Sequence, residues 1–172
     1  MAKPRIAGII LAGGKSSRMG KDKALLEYKG ALLLDHMIKL LNDTNLDNIY
    51  ISGDFKGYNC IVDRQKFNGP AYAIIDVMAQ LNDYDGALFV PVDMPLLTPN
   101  LLQLLLDHPS GAYFDSSPLP VFITKPVLGK NIKANCSVKQ LLKEQKIEPI
   151  TLPEKYKNQM QNFNTIEDWQ KL

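Results

Sequence analysis

The chain has 172 residues, of which 45% are apolar and 22% charged, and its formal net charge is +2 at pH 7. That size and balance suit a single globular domain with one core spanning residues 1–172, and they exclude nonspecific nucleic-acid binding driven by bulk charge. Met1-Ala2-Lys3-Pro4 enters the first strand without a signal-peptide stretch and no apolar run is long enough for a bilayer, so a cytoplasmic protein is expected.

In chain order, Arg5 to Leu11 reads as a short strand buried on both faces, because its apolar residues run on without strict alternation. The loop that follows, Leu11-Ala12-Gly13-Gly14-Lys15-Ser16-Ser17-Arg18-Met19-Gly20-Lys21-Asp22-Lys23, packs glycines and cations together. Gly13 and Gly14, lacking Cβ atoms, allow backbone N–H groups to converge on an anion, while Arg18, Lys21 and Lys23 supply charge. It is no P-loop: five residues separate Gly14 from Gly20, and Asp22 stands where a magnesium-binding Ser or Thr is needed. Nor do its glycines give the G-x-G-x-x-G spacing of dinucleotide sites. Taken alone, a solvated basic turn competes with a phosphate loop.

Leu32 to Leu41 carries apolar residues at helical spacing, with Asn42-Asp43 to end it, and Asn48 to Ser52 reads as the next strand. A short strand at Cys60 to Val62 precedes Asp63, and Gly69-Pro70 opens a second helix. Ala87 to Val92 is a further buried strand, followed by Asp93 and by a helix with Thr98 as N-cap and Pro99 at its first position. Ala112 to Phe114 and Val121 to Thr124 look like two strands joined by a polar turn. Ser137 caps a late helix, Ile147 to Leu152 reads as an edge strand because of Pro149, and Thr165 with Asp168 approximates a capping box before a terminal helix.

This rhythm predicts a Rossmann-like, three-layer α/β domain with a mostly parallel mixed sheet, whose ligands gather beyond the carboxyl ends of the strands. The loop after Leu11, Ser52, Asp63 and Asp93 would all meet at that rim. Asp93, in a turn between Pro91 and Pro95, suits a carboxylate aimed at magnesium, and its competing reading is a turn cap before the Thr98 helix. Cys60 and Cys136 form no C-x-x-C pair, so neither zinc nor a dithiol is indicated. His36 and His108 are expected in structural or solvent-facing roles, Met37 and Met78 in the core, and Lys143, Lys146, Lys155 and Lys157 on a solvated surface.

The pattern L-A-G-G-x-S-x-R-M-G-x-D-K closely resembles the opening motif of the molybdenum cofactor guanylyltransferase (MobA) family in the nucleotidyltransferase superfamily. Asn68-Gly69-Pro70, Val92-Asp93-Met94-Pro95 and Asn162-Phe163-Asn164-Thr165 resemble the family's later motifs in the same order. The resemblance implies a nucleotidyltransferase fold and transfer of GMP from GTP to molybdopterin, forming molybdopterin guanine dinucleotide and releasing pyrophosphate. It further implies Mg²⁺ as cofactor. Leu11, Ala12, Gly13, Gly14, Lys23, Ser52, Asp63 and Asp93 become nucleotide-binding residues; Arg18, Lys23 and Asp93 become catalytic ones, with Asp93 on the metal. Asp63 would read guanine N1–H and N2–H₂, against a reading as a surface turn residue beside Arg64. A monomer is expected, with transient contact with cofactor-synthesis or molybdoenzyme proteins left open. Departures at Ser52, Gly69-Pro70-Ala71-Tyr72-Ala73, Ser117-Pro118-Leu119-Pro120 and Asn135-Cys136-Ser137 keep three alternatives in view: CTP as donor, a different phosphorylated acceptor, and a non-catalytic nucleotide-binding regulator.

Overall fold

A computed structural model describes residues 3–13, 22–62, 64, 69–125 and 136–169. The first strand, β1 (Ile6–Leu11), lies third in a seven-stranded sheet. On one side it pairs in parallel with β4 (Asn48–Ser52), which pairs in parallel with β5 (Cys60–Ile61). On the other side it pairs in parallel with β6 (Gly86–Pro91). Beyond β6 lies the antiparallel β8 (Ser117–Thr124), then β7 (Ala112–Phe114), then the edge strand β9 (Pro149–Ile150) parallel to β7. The mostly parallel mixed sheet expected from the sequence is therefore present, and Pro149 sits on the edge, where a missing N–H costs no ladder bond.

Helices cover both faces. On one, α1 (Leu33–Asn42) and α3 (Pro99–Leu106) pack Leu33, Leu34, Met37, Leu101, Leu102 and Leu105 onto Ile10, Leu88 and Val90. On the other, α2 (Pro70–Gln80) and α4 (Val138–Glu144) pack Ile74, Val77, Leu141 and Leu142 onto Ile9, Ala87 and Phe89. Alternate residues of β1 and β6 thus feed opposite cores, which is why both strands read as continuous apolar runs. Met37 and Met78 belong to these cores.

The caps behave as their chemistry dictates. Thr98 Oγ1 accepts from Leu101 N with Pro99 at N1, and Ser137 forms a reciprocal capping box with Gln140. Thr165 Oγ1 accepts from Asp168 N at 3.1 Å while Asp168 Oδ2 accepts from Thr165 N at 2.9 Å, starting the short α5 (Ile166–Trp169). Gly69 holds φ 85° at the N-cap of α2, a left-handed conformation that a Cβ disfavours.

Three features differ from expectation. A small hairpin, β2 (Glu27–Tyr28) and β3 (Ala31–Leu32), turns through Lys29 and Gly30, both at positive φ. Strands of two residues are too short to show periodicity, although Lys29-Gly30 signals the turn. β8 begins at Ser117 rather than Val121, because a register shift lets Ser117 pair with Phe114. Glu154–Met160 forms a 3₁₀ helix with no buried residue, so no apolar period could reveal it.

Candidate functional site

The chain runs from β1 to β4 to β5 on one side, then returns through α2 to β6 on the other side of β1. The carboxyl ends of β1 and β6 are thus the point where strand order reverses, and the crevice there is the natural ligand site of an open α/β sheet. A cleft of about 540 Å³ opens at this point. Leu11, Ala12, Gly13 and Lys23 form one wall, Pro91 to Met94 another, and Pro70, Ser117 to Leu119, Ser137 to Lys139 and Asn162 complete it.

Lys23 and Asp93 face each other across 3.4 Å between Nζ and Oδ2, their side chains 21% and 20% exposed. Both ends therefore remain open to a ligand. Lys23 opens a 3₁₀ turn (Lys23–Leu25) whose N-cap, Asp22, accepts from Ala24 N. Asp93 follows β6 in a turn held by Met94 N donating to the Pro91 carbonyl. A third strand of support comes from the chain's far end. Asn164 Oδ1 accepts from Lys23 Nζ at 2.7 Å, and Phe163 N donates to the Asp93 carbonyl at 2.9 Å. Asn164 and Asn162 are the site residues that reasoning from spacing missed: 141 positions separate Asn164 from Lys23. The Asn162-Phe163-Asn164-Thr165 pattern was their one signal.

The first loop starts against the sheet. Ala12 N and Gly13 N both donate to the Ser52 carbonyl, at 3.2 and 2.9 Å, because the parallel β1–β4 ladder continues past its last paired residues, Leu11 and Ser52. Their amides are thus engaged with the sheet, not presented to an anion. Ser52 itself is 1% exposed and stands behind this loop. Gly14, Arg18 and Asp63 lie outside the described residues.

Burial, with a smaller push from Glu144, raises the Cys136 thiol beside the cleft, which keeps it protonated and poorly nucleophilic. His108 is exposed, whereas His36 donates from Nε2 to the Pro95 carbonyl at 2.9 Å, the only role a carbonyl partner leaves that nitrogen. Among the described residues, no three His, Cys, Asp or Glu side chains converge to hold a metal. Asp93 is thus a lone carboxylate, a donor set suited to a cation that takes its remaining oxygens from substrate and water. None of the described helices is long and apolar enough to cross a membrane.

A doubly wound sheet with a lysine, a carboxylate and two asparagines at its switch point defines an open α/β protein of the nucleotidyltransferase fold, with its ligand cleft at the strands' carboxyl ends. Residues 8–147 match the family model for the MobA-like NTP transferase domain, and the chain belongs to that family. It is accordingly a transferase. A molybdenum cofactor guanylyltransferase of Xanthomonas euvesicatoria pv. vesicatoria (strain 85-10) is 34% identical over 176 residues, covering 96% of this chain and 93% of the relative. Among solved structures, a nucleotidyl transferase from Methanothermobacter thermautotroptrophicus superposes with a TM-score of 0.78 at 14% identity, covering 97% and 95% of the two chains. Molybdopterin-guanine dinucleotide biosynthesis protein A from Archaeoglobus fulgidus does so with 0.64 at 16% identity, covering 96% and 95%. At those identities the two structures speak for the fold.

Proposed function

We propose that this chain transfers GMP from GTP to molybdopterin, giving molybdopterin guanine dinucleotide and pyrophosphate. The observation that carries the reading is the Lys23–Asp93–Asn164 constellation at the switch point, in a chain 34% identical to a relative bearing the guanylyltransferase name. The acceptor's phosphate oxygen bonds to the α-phosphorus of GTP, and the bond from that phosphorus to the β-phosphate bridging oxygen breaks.

Because the attacking phosphate is already anionic, no general base is required, and the protein's work is alignment and charge stabilisation. Lys23 sits where its ammonium can turn from Asp93 toward a triphosphate, and Asn164 restrains it without cancelling its charge. Asp93 would hold Mg²⁺, which supplies Lewis-acid stabilisation of the departing pyrophosphate. Arg18 and the Gly14 backbone complete the proposed grip on the phosphates, and Asp63 the reading of guanine. Leu11, Ala12 and Gly13 then serve as the floor of the nucleotide site, and Ser52 supports that floor through its carbonyl.

Thermal unfolding with GTP, CTP, ATP or UTP at matched concentration, with and without magnesium, tests base choice, since a ligand selective for the native state raises stability. A magnesium-enhanced shift specific to GTP is expected, followed by pyrophosphate release that requires both GTP and molybdopterin. A CTP-specific shift would replace guanine with cytosine in the reading. Ser52's burial is the observation that keeps that second reading in play, because it removes one base-contacting position from the cleft.

A further inference from the structure

His36 takes no part in the reaction above, yet it touches the turn that carries Asp93. It lies half-buried on α1, and α1 does not need it for packing: Leu33, Leu34, Met37 and Leu41 are each 0% exposed and already fasten the helix to the sheet. Its Nε2–H instead reaches 59 residues along the chain to the carbonyl of Pro95, two positions after Asp93. The turn's own hydrogen bonds are long, 3.4 Å from Met94 N to Pro91 O and 3.3 Å from Leu97 N to Met94 O, and proline contributes no donor. At 2.9 Å the His36 bond is the shortest of the three.

The imidazole is itself held in place. Tyr28 meets it edge-on with ring centroids 4.7 Å apart and planes at 77°, and Tyr28 meets Trp169 in the same manner at 6.2 Å. Trp169 packs on Phe163 at 5.6 Å, and Phe163 N returns to the Asp93 carbonyl. Contacts therefore run in a closed ring from Asp93 through Phe163, Trp169, Tyr28, His36 and Pro95 back to Asp93.

We infer that His36 is a positioning residue: by anchoring the Pro95 carbonyl it fixes the turn that presents the Asp93 carboxylate to Lys23. The inference rests on the reading of Asp93 as a site carboxylate. Its consequence for transfer is a lower kcat with little change in the KM for GTP, because a misplaced carboxylate harms the transition state more than ground-state binding.

The test compares His36→Met with His36→Gln, side chains of similar length, of which Gln alone keeps a donor. In the resting protein, hydrogen exchange at the Phe163 amide should quicken about tenfold in the Met variant, the scale of one lost hydrogen bond, and return towards the original rate in the Gln variant. The Phe89 amide in central β6 should be unaffected by either change. With GTP and molybdopterin, kcat should fall about tenfold in the Met variant, KM for GTP should stay within about twofold, and Gln should restore turnover. The inference is overturned if the Met variant keeps its Phe163 protection, if Gln behaves like Met, or if Phe89 exchange quickens in parallel and reveals general loosening. Should the unaltered protein transfer from no nucleoside triphosphate, the proposed function falls, and the exchange measurements still decide whether His36 anchors the turn.

Discussion

Replacing Lys23 with alanine separates chemistry from folding, because the structure assigns very different magnitudes to the two. As an ion pair, Lys23–Asp93 is worth little: at 3.4 Å, with both side chains only about one-fifth exposed, the cost of desolvating two charges offsets most of their attraction and leaves about 0–1 kcal/mol. In the proposed role, as a cation beside a reacting phosphate, it would be worth much more. A unit charge about 4 Å from developing negative charge, at an effective dielectric near 20, contributes roughly 4 kcal/mol. Removal of one preorganised donor in comparable sites costs about 2.7–4 kcal/mol, so turnover should drop roughly 10²- to 10³-fold. The assay is initial-rate pyrophosphate release with saturating GTP, magnesium and molybdopterin, beside a thermal melt. The melt should move by only a few degrees, since about 1 kcal/mol shifts a domain of this size by roughly 2–4 °C. Turnover within about threefold of the original would refute the cationic role, because it would leave under 1 kcal/mol for Lys23 to supply.

Two further outcomes probe the scaffold. Phe89, 0% exposed in β6 between Ile9 of β1 and Val121 of β8, should cost about 3–5 kcal/mol on Phe89→Ala, read as a lower urea midpoint with an unchanged slope. Tyr58 donates to Asp35 Oδ1 at 2.9 Å, and that bond raises the phenol above its ordinary 10.0. Its contribution is therefore complete below the unfolded value and fades as pH rises through the folded one, so Tyr58→Phe should flatten the alkaline fall in melting temperature, and an unchanged slope would show the bond to be idle.

How much of this was legible in the sequence depended on whether a signal was local. β1, β4, α1 and α2 announced themselves through apolar runs and periodicity, and Thr98, Ser137 and Thr165 with Asp168 marked helix starts because a cap is written within four residues of its target. Asp93 was legible for the same reason: an apolar strand, a carboxylate and two prolines stand side by side. The Lys29-Gly30 hairpin and the start of β8 were not, since two-residue strands and a Ser-Pro-Leu-Pro run lack an alternating pattern. Nor could spacing show that Ser52 would turn its carbonyl to Ala12 and Gly13. That depends on how far the β1–β4 ladder runs beyond its last apolar pair, which is decided in the folded sheet.

The least legible part of the site is also the part that closes it. Lys23 and Asn164 come from opposite ends of the chain, and their 2.7 Å contact exists only once the sheet has brought β1 beside β6 and the segment after the 3₁₀ helix has crossed the rim. That crossing is secured by the Phe163 bond to Asp93, by the Thr165–Asp168 box and by the rings of Phe163 and Trp169. Tyr28 Oη and Trp169 Nε1 are buried with no hydrogen-bond partner among the described residues. What the aromatic rings supply is shape: edge-on contacts from Trp169 through Tyr28 to His36 link the C-terminal segment to the Asp93 turn. Lysine, carboxylate and asparagine are thereby held by one connected set of contacts, so a change at any of Trp169, Tyr28 or His36 reaches the site without any of them facing the cleft.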